Sequence, residues 1–255
     1  MKITFSVLSI TFLLLTACKV SDYSSDSKPV EHSIWDSLLQ KHVTEEGLVD
    51  YQGFMQDSAR LNEYLQLLSK HHPNDKNWSR DERLAYWINA YNAFTVQLIL
   101  RNYPVGSIKD IKNGIPFVNT VWDIKFINIE ERTYDLNNIE HGIIRPKFEE
   151  PRIHFALNCA ARSCPKLQDF AYTADQLDQQ LDQSAREFIN TEEKNVLGED
   201  RVKVSKLFDW YGGDFKEDGR SIVDYLNQYA AGIEINEDAE VDYMEYSWAL
   251  NDVER

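Results

Sequence analysis

The chain has 255 residues, 43% of them hydrophobic, and a formal net charge of −15. That length and apolar content suit one domain with a sizeable core. So large a negative charge repels phosphate backbones and anionic headgroups, which argues against nucleic acid as a partner, although charge by itself identifies no ligand.

The first residues read MKITFSVLSITFLLLTACKV, with one cation at Lys2, an apolar run from Ile3 to Leu15, and small residues ahead of Cys18. The run is shorter than the roughly 20 residues that a spanning helix needs, so it reads as an export signal. Leu15-Thr16-Ala17-Cys18 resembles the bacterial lipobox. That resemblance implies cleavage before Cys18, acylation of its thiol and amine, and lasting attachment to a membrane. The expected organisation is a signal peptide over 1–17, a lipidated cysteine and flexible polar tether over 18–30, and a globular domain over 31–255. Lys19 is compatible with delivery to the periplasmic face of an outer membrane, so the expected location is the cell envelope. The expected partners are that membrane, through lipid on Cys18, and an envelope ligand or substrate.

Ile34, Trp35, Leu38, Leu39 and Val43 recur at helical spacing, as do Leu61, Tyr64, Leu65 and Leu68 within Ser58 to Lys70. Ser79-Arg80-Asp81-Glu82 is a capping-box pattern that opens a helix ending before Pro104. This helix is apolar almost all round, with a wet strip near Arg83, Tyr86, Gln97 and Arg101, so Asn89 and Asn92 must find hydrogen-bond partners inside the domain. Val118 to Ile129 predicts one or two strands, and Asp135 predicts the cap of a helix that Pro146 ends. Ile153 to Asn158 alternates apolar and polar residues and predicts a short strand.

Thr173-Ala174-Asp175-Gln176 predicts a second capping box, opening a helix to Asn190. Val196 to Val204 predicts a hairpin turning at Gly198, Leu207 to Tyr211 and Ile222 to Ala230 short helices, and Val241 to Trp248 a closing strand. The class is therefore α+β, one helix-rich domain around a small, mostly antiparallel sheet. Trp210, Tyr211 and Phe215 are expected to pack, and His32, His42, His71 and His72 to titrate freely in water.

Several blocks in order carry a family resemblance: GLVDY (47–51), LAYWINAYNAFTV (84–96), YPVGSIKDI (103–111), LNNIEHGIIRPKF (136–148), PRIHFALNCAARSCPKL (151–167) and FDWYGGDF (208–215). The chain resembles the DUF547 family, found in bacterial lipoproteins and in plant proteins. The resemblance spans nearly all of residues 31 to 250 and implies no particular reaction.

The chemistry then rests on Glu140, His141, His154, Cys159, Ser163 and Cys164. In one reading a Cys159 thiolate attacks an acyl carbon while His141 carries the proton. His154 is the poorer partner, because five residues of extended chain put it about 16 Å away and on the opposite face. Glu140 supplies a carboxylate beside His141, but helix neighbours point about 100° apart, so Asn92 or Asn158 are the other candidates to orient the ring. Asn92, Asn158, Arg145 and Arg162 are the candidate substrate-binding residues, with Arg145, Arg152 and Arg162 either paired with carboxylates or open to an anionic group.

A second reading is a disulfide between Cys159 and Cys164, which an oxidising compartment favours. A third is zinc held by Cys159, Cys164, His141 and His154, for which the spacing is weak. No cofactor is expected. The reading preferred is an anchored lipoprotein with a thiol-dependent hydrolase or acyl transferase site at Cys159, His141 and Glu140. The alternative is a non-catalytic envelope binding or scaffold protein with a structural disulfide.

Overall fold

The computed structural model describes residues 20, 22–112, 119–216 and 219–253. The predicted signal peptide and Cys18 lie outside the described residues. Among those described, no helix is long and apolar enough to cross a membrane. The segment expected to be a free tether is, from Asp22 on, laid along the domain without regular structure. Ser27 donates its hydroxyl to the His72 carbonyl and accepts from Trp78 Nε1, while the Tyr23 ring lies 4.8 Å from that of His72.

Helices α1 (Ser33–His42) and α3 (Ser58–Ser69) form where the periodicity predicts them and pack together. Between them lies α2 (Tyr51–Gln56), whose Asp50 cap accepts from the Gly53 N–H. The long α4 (Arg80–Leu100) runs through the core. Its capping box is closed, with Ser79 Oγ accepting the Glu82 N–H and the Glu82 carboxylate accepting the Ser79 N–H. The strip expected to be wet is dry at Tyr86, which is fully buried, donates to the Leu68 carbonyl at 2.8 Å and meets Trp78 and Trp87 edge-on.

Three of the histidines expected in water are buried instead. His42 pairs with Asp57 at 2.6 Å, His72 Nε2 is 2.8 Å from the Tyr134 hydroxyl, and His32 Nδ1 is 2.7 Å from the Tyr64 hydroxyl. Burial pushes His32 down from its ordinary value of 6.5 to about 4. Below pH 6.5 the unfolded chain takes up a proton at His32 that the folded chain refuses until about pH 4. Stability is therefore expected to fall as the pH drops through that window, by roughly 3 kcal/mol in all, and to level off below it. Urea unfolding across that range reads this directly, and His32→Phe, which cannot titrate, should flatten its share of the slope.

Strands β1 (Ile127–Ile129) and β2 (Arg132–Tyr134) form an antiparallel hairpin, with Ile127 opposite Tyr134. Of the longer strand predicted upstream, Val118 lies outside the described residues and Val121–Asp123 is a 3-10 turn. Asp135 then caps as expected, its Oδ1 accepting the Asn138 N–H at 2.6 Å, but the helix it opens is a π-helix (Asn138–Ile144) running into α5 (Arg145–Phe148). Pro146 does not end it. The helix carries on through it to Phe148 and stops where Glu149 turns left-handed at φ 47°.

The strand expected at Ile153 to Asn158 is absent, and Pro151–Phe155 forms a 3-10 helix capped by the Glu150 carboxylate. Helix α6 (Leu177–Ile189) starts later than its predicted capping box, because Thr173 to Gln176 makes a separate turn whose Thr173 N–H donates to the Gln180 side chain. Strand β3 (Arg201–Val204) pairs in parallel with β4 (Glu240–Tyr243), and Val196 bridges antiparallel to Lys203 around Gly198 as predicted. Helices α7 (Leu207–Trp210), α8 (Gly212–Phe215) and α9 (Ile222–Asn227) complete the order. The domain is α+β and helix-rich, with one antiparallel hairpin and a separate parallel pair.

The apolar interior has two clusters. One gathers α1 to α4, the hairpin and the π-helix; the other joins α6, β3 and α7 to α9 around Phe155, Phe208 and Phe215. The 3-10 helix straddles them, sending Ile153 into the first and Phe155 into the second. His154 lies between.

Candidate functional site

A cleft of about 280 Å³ opens where these two clusters meet, lined by Glu140, His141, His154, Cys159, Cys164 and a set of aromatic rings. Each element delivers its residue for a local reason. The π-helix, with its Arg145 N–H reaching back to the Glu140 carbonyl, presents Glu140 and His141 together. Such widened turns recur at functional sites. The 3-10 helix turns His154 to the same cleft as Cys159, so the opposite-face argument made for an extended chain does not apply.

His154 is 3% exposed, and its Nε2 is 2.7 Å from Asp214 Oδ2. Asp214 also accepts both arms of Arg145, Nε at 2.6 Å and a terminal nitrogen at 2.7 Å. Burial would raise the Asp214 carboxyl, but the hydrogen bonds from His154 and Arg145 outweigh it and hold the group below the usual carboxylate range. An ionised Asp214 can only accept, so the proton of the neutral imidazole sits on Nε2 and the lone pair on Nδ1. Burial pushes the His154 pKa down, partly countered by Asp214, so the ring is neutral at pH 7. Tyr211 stacks on it at 3.9 Å and carries the Arg145 guanidinium over its own ring at 5.1 Å.

His141, the histidine preferred from sequence, is worse placed to take a proton. Its Nδ1 accepts from Arg145 at 2.9 Å, which fixes the ring proton on Nε2, and that nitrogen is 3.8 Å from Glu140 Oε1, beyond a hydrogen bond. Its side chain is 42% exposed. Glu140 is buried among phenols instead. Burial first, and then the Glu140 carboxylate, hold Tyr91, Tyr211 and Tyr246 well above the ordinary phenol value, so all three remain O–H donors.

Cys159 and Cys164 are joined by a disulfide, with Cα atoms 6.2 Å apart. In this oxidised form neither sulfur is a nucleophile or a metal ligand, which removes two of the four ligands of the zinc reading. Among the described residues no group of three or more His, Cys, Asp and Glu is arranged to hold a metal. The backbone donors beside Cys159 are engaged as well. The Cys159 N–H points at Cys164 Sγ, and the N–H of Ala160, whose φ is +60°, donates to Asn158 Oδ1.

None of the four predicted substrate-binding residues lines this cleft, and Arg162 lines a separate one. Asn92 donates to the Ala156 carbonyl and accepts the Asn158 N–H, both at 2.9 Å; Asn89 makes the same clamp on Tyr172. Asn158 donates to the Pro165 carbonyl at 2.7 Å. Arg145 is held by Asp214, Arg162 donates to the Asp252 carbonyl, and Arg152 pairs with Glu150 and Asp178.

Sequence reasoning missed Asp214, Tyr246 and the aromatic rim. Trp210, expected to pack, is 47% exposed and stands with Tyr246, Trp248 and Trp122 along the mouth, ring to ring at 4.7 to 6.0 Å. Its signal was FDWYGGDF, in which Asp214 follows two glycines on a short helix beside Tyr211.

A family model described as "Protein of unknown function, DUF547" matches residues 76–189. Residues 76–189 carry a DUF547 domain, of unknown function. The matched stretch includes Tyr91, Glu140, His141, His154, Cys159 and Cys164, while Trp210, Tyr211, Asp214, Tyr246 and Trp248 come from beyond it. Neither a curated protein nor a solved structure matches the chain.

Proposed function

We propose that the chain is an exported lipoprotein, anchored through Cys18, whose DUF547 cleft is a thiol-dependent hydrolase or acyl transferase site. Reduced Cys159 is the nucleophile, His154 the general base, and Asp214 the residue that positions it. The observation carrying this reading is the Asp214–His154 pair: a buried, neutral imidazole of fixed tautomer in the same cleft as Cys159. A cysteine, a histidine and a carboxylate that orients the histidine are the parts that acyl transfer by a thiol uses.

In the reaction proposed, the Cys159 thiol gives its proton to His154 Nδ1 and the sulfur adds to an acyl carbon. The resulting imidazolium is stabilised by Asp214 and returns the proton to the leaving group, and water or an acceptor then resolves the thioester. The Tyr246 hydroxyl, 3.4 Å from Cys159 Sγ, is a neutral donor available beside the reacting sulfur.

Activated esters and thioesters test it. After reduction, turnover is expected, and Cys159→Ser should remove it by about 10³-fold or more. Turnover that survives Cys159→Ser would overturn the reading. Anchoring is checked separately: Cys18→Ala should move the full-length protein from the membrane fraction to the soluble one, and retention on the membrane would refute the lipid anchor.

The bridge and the exposed tryptophan rim favour a second reading, a binding protein that stacks a ring-bearing envelope ligand on Trp210. Under it, Trp210→Ala abolishes ligand binding while reduction leaves binding unchanged.

A further inference from the structure

The bridge closes a loop of only a few residues, so it constrains the unfolded chain little. The same loop is already tied down without it. The Asn158 side chain reaches across to the Pro165 carbonyl, Arg162 N–H donates to Ala249, Ser163 N–H to Ser247, and Asn251 N–H to Ala160. Opening the disulfide therefore leaves the loop in place.

The two sulfurs are also unlike each other. Both line the cleft, but Cys159 is half-buried whereas Cys164 is only 3% exposed. Cys164 Sγ receives two donors, the Cys159 N–H at 3.1 Å and the Tyr246 hydroxyl at 3.1 Å. One sulfur is reachable, and the other is solvated in advance for negative charge. That is the asymmetry thiol–disulfide exchange requires, since a stabilised leaving thiolate departs faster.

We propose that Cys159–Cys164 is an exchangeable disulfide, opened by a dithiol reductant of the Cys-x-x-Cys type that attacks Cys159 Sγ and expels Cys164 as the thiolate. The reductant's first sulfur bonds to Cys159 as the Cys159–Cys164 bond breaks. Its second thiol then attacks the first, releasing Cys159. The bridge gains two electrons and two protons, and the dithiol becomes a disulfide. The exchange stands by itself; its consequence, that oxidation masks and reduction unmasks a nucleophile beside His154, rests on the reading given under Proposed function.

The test uses the full chain purified without reductant. Glutathione should trap a mixed disulfide on Cys159, located by mass spectrometry, and dithiothreitol should open the bridge at a rate proportional to its concentration in folded protein. Tyr246→Phe should slow opening about tenfold. In the single variants, Cys159 of Cys164→Ser should alkylate rapidly and Cys164 of Cys159→Ser slowly. Adducts on Cys164, thiols that appear only on unfolding, or an unchanged rate in folded Tyr246→Phe would each overturn the proposal. Because thiols and not ester turnover are read, failure of exchange and failure of the hydrolase reading are separately visible.

Discussion

Replacing Asp214 with asparagine is expected to lower ester or thioester turnover of the reduced protein by about 10³- to 10⁴-fold. The carboxylate does two things that an amide cannot. It accepts without ever donating, which holds the His154 proton on Nε2, and it carries the charge that stabilises the imidazolium formed when Cys159 is deprotonated. An asparagine can turn its NH₂ toward the ring and stabilise the tautomer with the proton on Nδ1, which is useless as a base. It also leaves Arg145, now held through both arms, beside a histidine that must become positive. Since Asp214 acts through His154, the pH–rate profile is the discriminating readout. Wild type should show an acid limb below pH 6.5, where the lowered His154 protonates, with Asp214→Glu recovering part of the rate. A loss under tenfold, or an unchanged profile, would mean that the pair is structural.

Asn92→Leu is expected to destabilise the fold by about 2 to 4 kcal/mol, lowering the melting temperature by roughly 5 to 15 °C. Both polar ends of Asn92 are engaged with backbone: the amide nitrogen on the Ala156 carbonyl and the oxygen on the Asn158 N–H. Leucine is similar in volume, so the cost is the desolvation of two backbone groups left without partners in a dry interior. The same clamp holds the segment from His154 to Cys159 against α4, so thiol reactivity should change as well as stability. Thermal unfolding followed by circular dichroism reads the first effect, and a shift under 2 °C would show that the loop finds other partners.

The helices were the legible part of this chain. Ser79 with Glu82, and the leucine periods of α1 and α3, are local signals that the packed fold does not override. The 3-10 helix at Pro151–Phe155 was misread because alternation over six residues fits a strand, yet Pro151 after the capping Glu150 favours a helical turn. That single error moved His154 to the wrong face and promoted His141. Alternation speaks only of burial. It could not report that Arg145 would occupy His141 Nδ1, because Arg145 is drawn there by Asp214, far along the chain. The buried histidines failed for a related reason: position near a turn says nothing about which hydroxyl or carboxylate the fold brings up to the ring.

The site residues Glu140, His141, Cys159 and Cys164 were found from residue type alone, and they do line one cleft. Asp214, Tyr246 and the tryptophan rim were not, because their value comes only from long-range packing. Trp210 and Tyr246 belong to the half of the site built after residue 200, where the sequence offers aromatic residues but no spacing that fixes their direction.

The central claim, that His154 activates Cys159, is tested most directly without any substrate, by the pH dependence of Cys159 alkylation in the reduced protein. The account predicts a thiol that reacts rapidly at neutral pH because neutral His154 takes its proton as the sulfur attacks, so that the alkylation rate rises through the lowered range of His154 and returns to following an ordinary thiol near 8.5 in His154→Gln and Asp214→Asn. A Cys159 that titrates near 8.5 in the wild type, unmoved by either substitution, would contradict it.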